Sequence, residues 1–353
     1  MKKLSKVLLL GLAVMSMSLN SCIFAKGGVV PSGNIITKNI PINDFEKVTA
    51  EGSMSVYFEQ SSQVGAVLEC SDNIAPYVEV FNQGNELVVR YKKGIVINLF
   101  GKDSKKNKVK VSIKSPKINS INLNGSGDFI ATGDLAAENL SVNLNGSGDI
   151  DLKGVRCNAG AQPGAFAAQL NGSGDIVVAG EILANSTAIQ LNGSGDIKTK
   201  NIVAHTLASQ LNGSGDVVIL SAIADKSNVE LSGSGDLVIK DLRSSNIDSK
   251  LNGSGDLSVC RMLADEVHGS VVGSGDMRLT GRCQKAVLVS SGSSELSAAE
   301  LEAGDVEAQA SGSSEISCNA QRDLSASIEN SAEITFTGNA TVRCATKRQP
   351  QRR

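Results

Sequence analysis

The sequence predicts an all-β fold, a right-handed parallel β-helix or β-solenoid with coils of about 20 residues. Three observations carry this. The tetrapeptide GSGD recurs with its first glycine at Gly125, Gly146, Gly172, Gly193, Gly213, Gly233, Gly253 and Gly273, followed by GSSE at Gly292 and Gly312 and NSAE at Asn330. Successive copies stand 21, 26, 21, 20, 20, 20, 20, 19, 20 and 18 residues apart, the regularity of a repeat architecture. Between copies the apolar residues alternate, Val229 with Leu231 and Leu237 with Ile239, which is the period of a strand, and no helical stripe survives.

A unit of this length is too short for a helix pair. It offers two or three short strands that cannot bury their own apolar side. Stacking buries it: each Leu, Ile or Val lies on its copy in the next coil, about 4.8 Å away, and the columns merge into one core. Eleven units make a rod on the order of 50 Å. The right hand follows from the crossover preference of parallel strands. The spacing of 26 comes from an insertion around CNAGAQPGAF, expected to protrude as a loop.

The first residues form a targeting segment. MKKLSK is basic, and the 13 residues VLLLGLAVMSMSL are apolar but too few to span a bilayer as a helix. They end in LNSC, which resembles the lipobox of bacterial lipoproteins. That resemblance implies a signal peptide over 1–22, with Cys22 the lipidated first residue of the mature chain and a membrane as partner through the anchor. Ile23 after the cysteine favours the outer membrane, with the periplasmic or surface face open. An ordinary cleaved signal peptide is the alternative. Residues 23–39 read as a linker.

Residues 40–122 read as irregular capping coils: AEGSMSVYF and VFNQGNELVVRY resemble worn copies of the turn, and terminal units of a stack are atypical. GKDSKKNKVK within them reads as a solvated basic loop. Residues 123–340 are the regular GSGD solenoid, and 341–353 a basic disordered tail. The 34 Lys and Arg against 36 Asp and Glu give no argument for nucleic acid as a partner. Cys70, Cys157, Cys260, Cys283, Cys318 and Cys344 form no CxxC or Cys/His cluster, so a metal or redox site is not expected; free thiols and one or two disulfides both stay open.

The lipoprotein signal, DFEKVTAEGSMSVYFEQ, NELVVRYKK and the serial LNGSGD coils together resemble the family described as putative auto-transporter adhesin, head GIN domain. The resemblance spans roughly residues 40–340. It implies a β-helical, non-enzymatic envelope protein with an adhesive role, and no ligand residues carry over from it. The number of coils suggests that two such domains run together.

The GSGD corner invites three chemical readings. A phosphate cradle needs a glycine loop opening onto a helix N-terminus, usually with a lysine; neither is present. Calcium is the second. The corner places a carboxylate in every coil, and Asp149, Asp175, Asp196, Asp216, Asp236, Asp256 and Asp276 are the cation candidates. At coil spacing such charges repel by roughly 0.9 kcal/mol per pair in water. Cations, local N–H donors or outward splay must offset that, and Asp accepting N–H bonds within its own turn is the simplest device. The third is catalysis by neighbouring carboxylates, as in a retaining glycosidase. A repeated site argues against it, and His205 and His268 read as surface residues.

The copies also expose what each position needs. The first position holds Gly in ten copies and Asn in one, which suggests positive φ; the third holds Gly, then Ser294, Ser314 and Ala332, which asks for smallness. Both are expected on the core side, with Asn, Ser and Asp outward as a polar ladder. Asn columns can bond coil to coil, or the array can present to a glycan or surface protein. The sequence therefore reads as a non-enzymatic adhesin, polymer-binding protein or envelope scaffold, with a β-helical polysaccharide lyase or hydrolase as the alternative. An exposed solenoid end leaves a homo-oligomer open.

Overall fold

The computed structural model describes residues 28–98, 108–159, 162–346 and 348–353, with the side chains of 158–163 outside the description. Cys22 with its signal segment and most of the basic loop at 101–110 lie outside the described residues. Within them the chain is all-β apart from one 3₁₀ turn at Ala75–Tyr77. It is a β-solenoid whose parallel bridges join residues about 20 apart, as Leu191 to Leu211 and Leu231 to Leu251.

Burial along a single coil shows its cross-section. Buried positions run Val217 and Ile219, then Ala222 and Ala224, then Ser227, Val229 and Leu231. The period is two within each run, and the phase slips between runs, so the backbone turns at two corners. The GSGD segment makes the third. Each coil therefore has three short faces. The first holds Thr206–Leu211 and its copies, the second starts after the GSGD aspartate, and the third carries the column Val155, Ile182, Ile202, Ala222 and Leu242.

The core is a set of such columns. The residue after each acidic corner position is apolar and fully buried throughout: Phe129, Ile150, Ile176, Ile197, Val217, Leu237, Leu257, Met277, Leu296, Ile316 and Ile334. Each contributes roughly 1.5–3 kcal/mol on leaving water. The strands need no second sheet to cover them, because the opposite faces of the same coil do so.

The two ends differ from the coils. Before residue 122 only Lys47–Gly52 and Ser55–Gln60 act as a coil, with Gly52 in register with Gly125. The rest is not a set of worn coils. The first face is extended by Glu86–Tyr91, parallel, and then by Val78–Gln83, antiparallel. The second face is extended by Lys110–Ser115, parallel, and then by Gly65–Ser71 and Ile35–Ile40, both antiparallel to their neighbours. Hairpin reversals are available here because no GSGD corner dictates the turn. Phe45, Phe58 and Phe129 fill the lumen at this end, with ring centroids 6.5 and 6.2 Å apart along the series.

At the other end the described residues of the tail include two short strands, against the sequence expectation. Thr341–Cys344 pairs with the strand at 323–326, and Gln351–Arg352 pairs with Thr335 and Phe336. The last coil would otherwise leave a sheet edge unpaired over the buried Phe336. The tail supplies the missing backbone partners, and Arg353 adds an ion pair to Glu315 at 2.9 Å. The insertion at 157–166 leaves the coil as a short antiparallel ladder, Asn158 with Pro163 and Ala159 with Gln162.

Candidate functional site

The GSGD corner is built from its glycines. A Cβ on Gly193 would lie 2.1 Å from the carbonyl oxygen of Gly172, and one on Gly195 would lie 1.8 Å from that of Gly174. The corners of adjacent coils touch through backbone, so both positions exclude a side chain. This corrects the expectation of positive φ at the first position. Gly146, Gly172, Gly193, Gly213, Gly233 and Gly253 are outside the left-handed region, and the constraint on them is close approach. Positive φ appears at the first copy, Gly125, and at the C-terminal copies, Gly273, Gly292, Gly312 and Asn330. In the last coils the third position accepts Ser294, Ser314 and Ala332, and the inward leucine of the earlier coils is replaced by Ser290 and Ala310. Ser294 occupies part of the space so released, with its Oγ 2.9 Å from that of Ser290. The third position is buried in every copy, whereas the first is half-buried in most, so only the third lies fully on the core side.

The corner's N–H groups are already engaged. The amides of Ser194 and Gly195 both donate to the carbonyl of Gly172, at 2.9 and 3.2 Å, and the same fork repeats in the neighbouring coils. A loop that resembles an anion cradle is thus filled by the next loop of its own chain. The asparagine column is engaged too. Asn145 donates to Asn124, Asn171 to Asn145, Asn192 to Asn171 and Asn212 to Asn192, at 2.9–3.0 Å. It is the expected coil-to-coil ladder, and it stops where Ser232 interrupts the asparagines.

The acidic column is held between coils as well, not within its own turn as expected. Asp175, Asp196, Asp216 and Asp236 donate their backbone N–H to Oδ1 of Asp149, Asp175, Asp196 and Asp216, at 2.9–3.1 Å. Asp256 donates to Asp236 at 3.4 Å, and Glu295 to Asp276 at 3.4 Å. The donor is a fixed dipole aimed at each carboxylate, which offsets part of the repulsion along the column. Asp196 also takes a bond from Lys198 at 2.8 Å. Partial burial pushes the Asp196 carboxyl up, but the Lys198 bond, the Asp216 N–H and the Lys198 charge together bring it below its ordinary value.

The two histidines are not brought together. His205 sits at a corner, paired with Asp225, and His268 sits on the first face with Nε2 3.2 Å from Glu266. All six described cysteines are free thiols, four of them buried.

One feature of the surface was not legible in the repeats. Two outward columns of the first face, Thr206–Lys226–Asn246–Glu266 and Ala208–Asn228–Asp248–His268, enclose a groove of about 440 Å³ that crosses four coils. The third face carries an outward aliphatic column in which Ile223 and Leu263 are 49% and 57% exposed, with Arg243 between them.

This is a repeat protein whose corner amides, asparagine ladder and aspartate Oδ1 atoms hold the stack together. The chain belongs to the family described as Putative auto-transporter adhesin, head GIN domain, whose model matches residues 44–220, 162–262 and 228–340. Its fold is similar to that of a putative adhesin from Parabacteroides merdae, 18% identical over 90% of this chain and 99% of that one, with a TM-score of 0.50. Also similar are a putative adhesin from Parabacteroides distasonis (16% identical, 90% and 100% covered, TM-score 0.47) and a putative lipid binding protein from the same species (18%, 91% and 100%, 0.46). No sequence among the curated proteins matches this chain.

Proposed function

We propose that the protein is a non-enzymatic, lipid-anchored component of the cell envelope that adheres through the outward columns of its solenoid to a surface polymer. The family supports the adhesive and envelope parts of this reading. The anchor rests on the lipobox at Cys22, and the outer membrane on the residue after it.

One observation carries the polymer part. Outward polar columns pass through successive coils in strict register, as Gln169, Gln190 and Gln210 do. A ligand with its own repeat meets similar groups at each coil, and small contributions accumulate along it. An enzyme needs one constellation unlike its surroundings. The corner carboxylates are instead alike from coil to coil.

Three measurements test the reading. Metabolic labelling with a palmitate analogue should mark the wild-type protein and not Cys22→Ala. Protease treatment of intact cells should release the solenoid if it is displayed outward, and cells bearing it should bind target cells better than cells lacking it. Equal binding by the two strains would defeat the adhesive role.

A further inference from the structure

We infer that the groove on the first face between Thr206 and His268 is a saccharide-binding subsite that takes an extended oligosaccharide along the solenoid axis. This rests on the adhesive reading above and names its ligand and its site.

The groove differs from the Asn124–Asn212 ladder in what its side chains are doing. In the corner ladder each asparagine amide is bonded to the next. In the groove, the amides of Asn228 and Asn246 and the ammonium of Lys226 form no hydrogen bond or ion pair among the described residues. Each amide offers two donors and an acceptor. Beside them Asp248 accepts from Lys250 at 2.8 Å, and Glu266 lies 3.2 Å from Nε2 of His268, so both carboxylates keep acceptor capacity. Free amides and carboxylates a coil apart are the groups that pair with neighbouring hydroxyls of a sugar.

The ends of the groove set its direction. It opens beside Ala208 and Ala188, which are too small to wall it. It closes where Lys285 spans Glu307 at 3.0 Å and Glu266 at 3.9 Å. Three coil rises separate its two ends, roughly 14 Å, room for about three sugar rings in a chain.

The same geometry disfavours an extended peptide. Peptides that dock on sheets usually pair with a free strand edge. The four strands here, which include Thr206–Leu211 and Leu242–Gly253, are hydrogen-bonded to neighbours on both sides. Recognition must come from side chains alone. No Phe, Tyr or Trp lines the groove, so it offers no broad stacking platform and affinity must grow with the number of sugar rings engaged.

The test uses the full chain purified from membranes in detergent, on arrays of β-1,4- and β-1,3-linked glucan and chitin oligosaccharides of one to six sugars. Binding should be undetectable for single sugars, rise with length and level off at three or four. The double variant Asn228→Ala/Asn246→Ala should bind at least tenfold more weakly with an unchanged melting temperature, while Thr37→Ala, on the exposed N-terminal strand outside the solenoid columns, should match wild type. Binding without length dependence, equal binding by the double variant, or no binding to any array overturns the inference. Cell adhesion separates this from the broader reading. Adhesion that survives both periodate oxidation of the target glycans and the double variant removes the saccharide site and leaves the adhesin, whereas absence of adhesion removes the adhesin itself.

Discussion

The backbone N–H of Asp216 donates to Oδ1 of Asp196 at 3.1 Å, one coil earlier in the stack. The carbonyl of Asp216 in turn accepts the N–H of Ile197 at 2.9 Å. Each corner aspartate is therefore both a turn residue and a clamp between coils. The side chain does across coils what a β-ladder does along a face.

Replacing Asp216 should separate the roles of charge and acceptor. Asp216→Ala removes the acceptor for the Asp236 N–H, which lies 3.0 Å from Oδ1, and should cost about 1 kcal/mol. Asp216→Asn keeps an oxygen at the same place and should cost less than half of that. Urea denaturation of the two variants measures the difference, and equal losses would show that the charge matters and the clamp does not.

The two glycine positions should be intolerant for steric reasons. Gly195→Ala places a Cβ 1.8 Å from the Gly174 carbonyl oxygen, backbone that cannot step aside without opening the stack. It should destabilise by at least about 3 kcal/mol, the upper end for overpacking. Gly133→Ala, with no atom within 4 Å of its Cβ, should lie within about 0.5 kcal/mol of wild type. A thermal melt of each variant decides it.

Asp151 should make stability depend on pH with the opposite sign to a salt-bridged carboxylate. Partial desolvation, then the charges of Asp149 and Asp128, raise its carboxyl above the ordinary value. A raised folded-state value means that folding favours the protonated form, so its contribution is present in acid and lost as pH rises through that value. Asp151→Asn should therefore melt higher than wild type at pH 7. The advantage should fade as pH falls through the raised value and then the ordinary one. A constant difference across the acid range would show that Asp151 is not the group responsible.

The cysteines should divide by burial. Desolvation pushes Cys283 and Cys318 up to about 12, and burial pushes Cys70 and Cys157, Cys70 helped by the charge of Asp72, up to about 11. At pH 8 in the folded protein these four should be inert to a thiol reagent for as long as the stack holds, while the half-buried Cys260 and Cys344 react first. Mass spectrometry of the labelled peptides reads the order directly.

Much of the solenoid was legible in LNGSGD and its copies. A period near 20 with strand alternation leaves few ways to bury the leucines other than stacking them, and the asparagine ladder follows once copies are superposed. The Asp clamp was half legible. The need for an N–H donor could be argued from repulsion, but the donor's place could not, since the aspartate of the next coil is 20 residues away and nothing local marks it. The role of the first glycine was misassigned for a related reason. Asn330 suggested positive φ, and that holds at its own end of the stack, while in the central coils it is the neighbouring corner that forbids a side chain.

The sequence by itself determined the period of the coil, its GSGD corner and the core columns beside that corner, because a repeated residue meets its own copy. The ends and the groove were decided by tertiary structure alone. The tail becomes a strand because the last coil leaves an open edge over Phe336. Thr206, Asn228, Asn246 and His268 form one groove because stacking brings four different coils to within a few ångströms, and variable outward positions carry no periodic mark that would show them to be neighbours.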